Sequence, residues 1–235
     1  MSSARELGEL PVHHHETLVV GAGVAGLSTA LWLGRATVLS NAPIGIGGSS
    51  PMAQGGVAVA IGVDDSPAVH RNDTLAVAGG IGDEEVVGML TKGGPAALAE
   101  LRRLGARFDG AETLTDVPLL GREAGHRRRR IVHANGDATG AEIMRTLTLA
   151  ALAAPTIKIV DNVTVIDLVF GASGEVCGVI GRQDGQLVVH LAASVVLATG
   201  GYGHCFARTT TPEHVMGDGI AMWRSDALAD RSSPR

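Results

Sequence analysis

The chain has 235 residues, 45% of them hydrophobic and 18% charged, with a formal net charge of −5. Such a chain can bury a core and is not a disordered tail, and its acidic balance excludes a general attraction to nucleic acid or anionic membrane. Cys177 and Cys205 are too few and too isolated for a disulfide framework or a metal cluster, so a reducing, cytoplasmic setting is expected.

Residues 1–16 read as a loose polar lead without an apolar signal core, and no run along the chain is long enough to span a bilayer. His13, His14 and His15 read as a solvated approach to the first strand. Three adjacent side chains cannot build a coordination shell, and no metal site is expected. Thr17 to Val20 reads as a buried parallel strand. Gly21, Ala22, Gly23, Val24, Ala25 and Gly26 follow at once as G-x-G-x-x-G and open a helix carrying Leu27, Ala30 and Leu31. In this pattern the first glycine permits a sharp turn, the second lets backbone approach a pyrophosphate, and the third lets helix and strand pack closely. The free amides and positive dipole end of the helix then face the phosphates. A dinucleotide site is the expectation; an ordinary glycine-rich turn is the alternative.

Ala36 to Ser40 reads as the second parallel strand. An NAD-binding unit carries an acid near this point to hold the ribose. Ser40 and Asn41 stand there instead, which weakens a plain NAD reading. Asn41 to Ala60 is a glycine-rich loop whose amides, with the Ser49 and Ser50 hydroxyls, can wrap phosphates or ring heteroatoms. A helix is expected over Asp64 to Gly80, starting at Ser66-Pro67, and another behind Asp83-Glu84-Glu85. Gly94-Pro95 is expected to open a further helix that ends at Gly105.

Gly121 to Gly140 gathers Arg122, Glu123, His126, Arg127 to Arg130, His133 and Asp137. It reads either as a solvated basic loop or as a site for an anionic substrate, with arginine forks for carboxylates and Glu123 for an ammonium group. A nucleic-acid patch is disfavoured by the acidic chain and by only 3% aromatic residues. Residue chemistry alone leaves the first two readings open.

Thr139 to Ala154 is a helix by its apolar spacing, and Thr156 to Val160 is a strand. Val163 to Phe170, Glu175 to Gly181 and Leu187 to Leu191 read as a β-meander. Ser194 to Ala198 reads as a buried parallel strand running into Thr199-Gly200-Gly201. A last helix starts near Asp218, which either meets a ligand or caps the helix. The fold class is therefore α/β: a Rossmann-like dinucleotide domain with a parallel sheet, a helical insert at about 64–120 and a meander, occupying residues 17–224.

The motifs VVGAGVAGLSTAL, VLSNAP, GSSPMAQGGVAV, REAGHRRRRIVHANGDATGAEIMRTL and VLATGGYGHCFARTTTPEHVMGDGIAM stand in this order. Together they resemble the N-terminal part of the L-aspartate oxidase family, flavoproteins of the succinate dehydrogenase and fumarate reductase superfamily. The resemblance implies FAD as the dinucleotide, with its pyrophosphate at Gly21 to Gly26. It places Ser49, Ser50, Pro51, Met52, Ala53, Gln54, Gly55 and Gly56 against the flavin, and the backbone of Thr164 and Val165 at the adenine end. Ala198, Thr199, Gly200 and Asp218 complete the cofactor set. Asn41 stands where the family often has Lys. Ser49 stands where succinate dehydrogenases carry the flavin-linked histidine, so the resemblance implies non-covalent FAD.

The resemblance further implies that Glu123 handles the amino-acid substrate, although Gly121 and Ala124 depart from the family's usual Thr and Gly. The family reaction oxidises L-aspartate to iminoaspartate with O2 or fumarate as acceptor, the first step of de novo NAD synthesis. Iminoaspartate then passes to quinolinate synthase. The capping and helical C-terminal domains, with the family's acid/base arginine, have no counterpart here, and residues 225–235 read as a non-family tail. The expectation is a truncated or frameshifted fragment with negligible turnover alone. A non-catalytic FAD-binding remnant and a fumarate reductase-like fragment are the alternatives.

Overall fold

In the computed structural model, which describes residues 10–229, strand β1 spans Val12–Val20, helix α1 Val24–Leu33 and β2 Ala36–Leu39. A 3-10 turn at Ser50–Met52 precedes β3 (Val57–Ala58), α2 (Pro67–Val77), α3 (Glu84–Arg103), β4 (Leu120–Gly121), β5 (Ile131–Val132) and α4 (Thr139–Ala153). Then come β6 (Ile157–Val160), β7 (Val163–Phe170), β8 (Val176–Gln183), β9 (Gln186–Leu197), a 3-10 turn at Gly203–Cys205 and α5 (Asp218–Ala229). The chain divides into two compact units. One joins the residues up to Ser50 to those from Leu147 onward, and the other is Pro51–Thr146. The expected loose lead at 1–9 and the tail residues 230–235 lie outside the described residues.

The first unit is built on a six-stranded sheet in the order β6-β2-β1-β9-β8-β7. The first four strands run parallel, and β8 and β7 turn back antiparallel as the meander. Leu18, Val20, Leu39, Val163, Val165, Val179, Ala192 and Met222 form one buried cluster. Each large aliphatic residue there contributes roughly 1.5–3 kcal/mol by leaving water. Helix α1 lies so close to β1 that a Cβ on Gly26 would fall inside the Gly21 carbonyl. It ends at Gly34, whose left-handed φ of 71° lets its N–H return to the Ala30 carbonyl.

Two expectations about this sheet are corrected. The first strand starts at Val12, not Thr17, so the histidine triplet is part of the sheet rather than a lead-in to it, although His13 and His14 remain exposed. It pairs with β9 from Val12↔Val189 to Val20↔Leu197. The third meander strand and the strand before Thr199 are likewise one strand, because the long β1 partner holds Ala192 to Ser194 in the same ladder.

The triplet also has inward chemistry. His15 Nδ1 is 3.0 Å from Thr37 Oγ1, and its Nε2 is 3.1 Å from Nδ1 of His190. The His190 ring is 1% exposed and tilts against His13, and its own Nε2 has no hydrogen-bond partner among the described residues. Burial, then the charges of His15, His13 and Lys158, lower the His190 pKa to about 4; burial first, then Lys158 and the flanking histidines, also lowers His15. The unfolded chain therefore takes up protons before the folded one as pH falls below about 6.5, and the folded state loses about 1.4 kcal/mol per pH unit at most for this ring down to about pH 4. We expect the melting temperature of His190→Leu to fall less than that of wild type between neutral pH and about pH 5, a difference that thermal unfolding at the two pH values reads directly. Parallel curves for the two proteins would contradict it.

In the second unit, Ser66 Oγ accepts the Val69 N–H at 3.3 Å and Pro67 opens α2. Asp83 Oδ1 accepts the Glu85 and Val86 N–H groups at 2.9 and 3.0 Å and caps α3, with Glu84 and Glu85 in its first turn and Arg102 and Arg103 in its last. The expected break at Gly94-Pro95 does not occur: α3 runs through both. A Cβ on Gly94 would stand 3.4 Å from Val59, an ordinary contact, so this glycine neither ends the helix nor is required by its packing. Strands β3, β5 and β4 form a small antiparallel sheet that the sequence does not reveal, each being two residues long.

The arginine run is mostly engaged within this unit. Arg130 is 0% exposed; its Nε and Nη2 donate to the two carboxylate oxygens of Asp65, each at 2.8 Å, and its Nη1 donates to Asp73 at 3.0 Å. Arg127 also binds Asp73, and Arg128 lies 3.4 Å from Asp64. Arg122 and Arg129 are exposed and have no ion-pair partner among the described residues.

Candidate functional site

The carboxyl ends of β1, β2 and β9 open into a cleft of about 660 Å³. Open parallel sheets place their ligands at such strand ends. The geometry follows from the sequence. Gly21, at φ 110°, turns the chain out of β1 while its N–H donates to the Leu39 carbonyl at 2.8 Å. A Cβ on Gly21 would fall on the Ala198 carbonyl, and one on Gly23 would stand 3.1 Å from Ser50 Oγ. Both positions bring backbone to the cleft surface, where only glycine fits without displacing a neighbour.

Helix α1 then begins at Val24, leaving the amides of its first turn outside the helical ladder. Ser50 Oγ accepts one of them, the Val24 N–H, at 3.2 Å. Among the described residues, the lining contains no lysine or arginine. An anion in the cleft would therefore be held by backbone N–H groups and the α1 dipole, which together suit a pyrophosphate. The glycine cradle, free amides and cleft volume fit FAD, the volume lying in the range of small-molecule sites.

Most residues expected at the cofactor meet in this cleft. Gly21, Ala22, Gly23, Val24 and Ala25 line its floor; Ser40, Asn41, Ser49 and Ser50 line one wall. Thr164, Val165, Ala198, Thr199, Gly200 and Asp218 line the other sides. Gly26 lies behind the floor, buried where α1 crosses β1. The Ser40 hydroxyl is committed to the Ala42 carbonyl at 2.6 Å, which leaves exposed Asn41 as the side chain suited to a ribose.

Pro51, Met52, Ala53, Gln54, Gly55 and Gly56 belong to the second unit. There the Ala53 carbonyl accepts the Gly140 N–H at 2.8 Å, and a Cβ on Gly56 would stand 2.8 Å from the Val132 carbonyl. Glu123, also in that unit, is half-exposed, with Oε1 3.9 Å from His133 Nε2. Gly121 leaves that ring open, since a Cβ there would stand 3.3 Å from Nε2.

Gly45 and Gly47, in the glycine-rich loop expected to wrap the ligand, also line the cleft, as do His214, Val215 and Trp223, which were not expected there. Glycines at 45 and 47 were legible as loop, but nothing local marked His214 as a neighbour of a loop more than 160 residues earlier. Among the described residues, no group of three or more histidine, cysteine, aspartate or glutamate side chains is placed to hold a metal ion, and no helix is long and apolar enough to cross a membrane.

Residues 16–232 match the family described as the FAD binding domain. Over 217 residues the chain is 44% identical to the L-aspartate oxidase of Streptomyces coelicolor, covering 88% of this chain and 37% of that protein. It is 41% identical over 210 residues to the L-aspartate oxidase of Caulobacter vibrioides, covering 87% of this chain and 41% of the relative. The chain thus spans about two fifths of the length of these curated relatives. Among solved structures, the Sdh1 complex of Mycobacterium smegmatis in its apo form superposes with a TM-score of 0.85 at 27% identity, over 92% of this chain and 39% of the other. A variant of Escherichia coli quinol fumarate reductase FrdA gives a TM-score of 0.85 at 27% identity, over 92% and 37%.

Proposed function

The chain belongs to the FAD binding domain family, and from that premise we propose that it is the cofactor-holding part of an L-aspartate oxidase, oxidising L-aspartate to iminoaspartate. FAD is the cofactor. The observation that carries the finer reading is 44% identity to an L-aspartate oxidase, against 27% for the succinate dehydrogenase and fumarate reductase structures of the same fold.

In this reading, the α1 amides take the pyrophosphate, Asn41 a ribose hydroxyl, and the Thr164 and Val165 backbone the adenine end. Ser49 offers no ring nitrogen for a flavin bond, so the cofactor is held without a covalent link. Bound FAD supplies the hydride acceptor for the substrate Cα–H. The chain's own residues position the substrate: Glu123 meets the ammonium group, and Arg122 and Arg129, without an ion-pair partner among the described residues, offer forks to the carboxylates. O2 or fumarate would then serve as acceptor. The product, an imine on the route to NAD, would pass to quinolinate synthase in the cytoplasm, a setting that two free cysteines support.

A chimera tests the substrate: residues 1–223 joined to the rest of the Streptomyces coelicolor enzyme, loaded with FAD and kept anaerobic. L-aspartate is expected to bleach the flavin absorbance while succinate leaves it intact. Bleaching by succinate would favour a fumarate reductase-like enzyme, and bleaching by neither would favour a cofactor-binding remnant.

A further inference from the structure

One polar side chain in the cleft wall has no role in the FAD reading. His214 lines the cleft from the segment before α5, and its Nε2 accepts the Gly48 N–H at 2.7 Å. Gly48, at φ 79°, belongs to the loop that follows β2. Among the described residues, no other hydrogen bond joins that loop, 41–49, to the segment 202–217.

The two sides of this bond differ in firmness. The loop carries no charged residue, and Ile46 at its tip is 74% exposed. Its internal support is one 3.3 Å bond from the Ile46 N–H to the Pro43 carbonyl, together with the Ser40 hydroxyl on Ala42. The His214 side is braced. Val215 is buried, its N–H donates to the Pro212 carbonyl at 3.0 Å, and its carbonyl accepts the His204 N–H at 3.0 Å. His204 Nδ1 in turn lies 3.3 Å from the Thr211 carbonyl. A glycine-rich loop with so few contacts opens easily unless something anchors it.

We propose that His214 is a positioning residue for FAD: its Nε2 pins the Gly48 amide and holds the loop as a wall of the cofactor cleft. The inference rests on the reading of the cleft as the FAD site. The loop returns at Ser50 to the first amide of α1, so fixing Gly48 also fixes the serines beside the pyrophosphate position. Losing the pin lets the wall open and speeds FAD release more than it slows FAD entry.

The test compares the 235-residue wild-type chain with His214→Ala and His214→Gln. FAD affinity and release are followed by flavin fluorescence, and amide hydrogen exchange by mass spectrometry of the peptide covering 41–50, without FAD. His214→Ala is expected to raise Kd about tenfold, mostly through release, and to speed exchange at 41–50 while β7 and β8 peptides exchange as in wild type. His214→Gln, whose side-chain carbonyl still accepts a hydrogen bond, is expected to recover most of both. Wild-type affinity in His214→Ala, or equal loss in both variants with unchanged exchange at 41–50, overturns the proposal. A wild-type chain that binds no FAD while its 41–50 peptide is protected overturns the cofactor reading itself and, with it, the role assigned to the pin.

Discussion

Gly21→Ala is expected to raise the Kd for FAD by more than about a hundredfold and to lower the melting temperature. Two separate costs act at this position. A residue with a Cβ at φ 110° is strained, by about 1–2 kcal/mol. The added methyl would also sit on the Ala198 carbonyl, with the Thr199 nitrogen 3.4 Å away. Both neighbours are backbone at the end of β9, where the Ala198 N–H is already bonded to the Val20 carbonyl at 2.8 Å. No flexible side chain can yield, so β1 and β9 must part at the floor of the cleft. Overpacking of this kind costs about 1–3 kcal/mol beyond the strain. Gly200→Ala is the control. It has φ 79° but open space around its Cβ, so only the strain applies. Fluorescence titration of the two variants is expected to separate them by at least tenfold, and equal affinities would contradict the role given to the Gly21–Ala198 contact.

The second large effect is expected in the other unit, at Arg130. Replacing it by Met leaves Asp65 without its bidentate partner in a fully buried position and removes one of two cations from Asp73. Breaking a buried pair from one side costs about 3–5 kcal/mol, because the remaining charge is uncompensated. Chemical denaturation of Arg130→Met should show that loss, and Arg130→Met combined with Asp65→Leu should recover part of it. A single variant within about 1 kcal/mol of wild type would sink this account of the cluster. The same site gives the acid limb. Burial raises the Asp73 pKa, but the backbone N–H and guanidinium hydrogen bonds of Arg127, then the charges of Arg127 and Arg130, outweigh it and hold the carboxyl at about 2. Its stabilisation is therefore complete above the unfolded value near 3.8 and is lost as pH falls to about 2.

Such a cluster explains why Gly121 to Gly140 reads ambiguously in the sequence. Four consecutive arginines look solvated, yet three find carboxylates in Asp64, Asp65 and Asp73, over fifty residues earlier in the chain. Spacing along a chain cannot show a pairing made by tertiary packing. The dinucleotide turn was legible for the opposite reason: β1, Gly21 to Gly26 and α1 are contiguous, and local chemistry determines the geometry. The helix caps at Ser66 and Asp83 were legible on the same ground.

Errors fell where a long-range partner overrides local preference. The histidines at 13 to 15 look like a polar lead until β9 is set beside them. Ala192 to Ser194 looks like a strand break until β1 carries the ladder across it. Gly94-Pro95 looks like a helix boundary because neither residue favours a helix interior, yet α3 runs through both. The cleft floor was therefore readable, while its far wall, with His214 and Trp223, was not.

The central claim is that this chain holds FAD through backbone amides and without a covalent bond. The most direct measurement is titration of FAD into the purified, cofactor-free chain, with NAD as the comparison and acid precipitation of the loaded protein at the end point. The account predicts saturable quenching of flavin fluorescence at one FAD per chain, no competition by NAD at equal concentration, and all of the yellow colour in the supernatant after acid. Unsaturable quenching, equal competition by NAD, or colour retained in the pellet would contradict it.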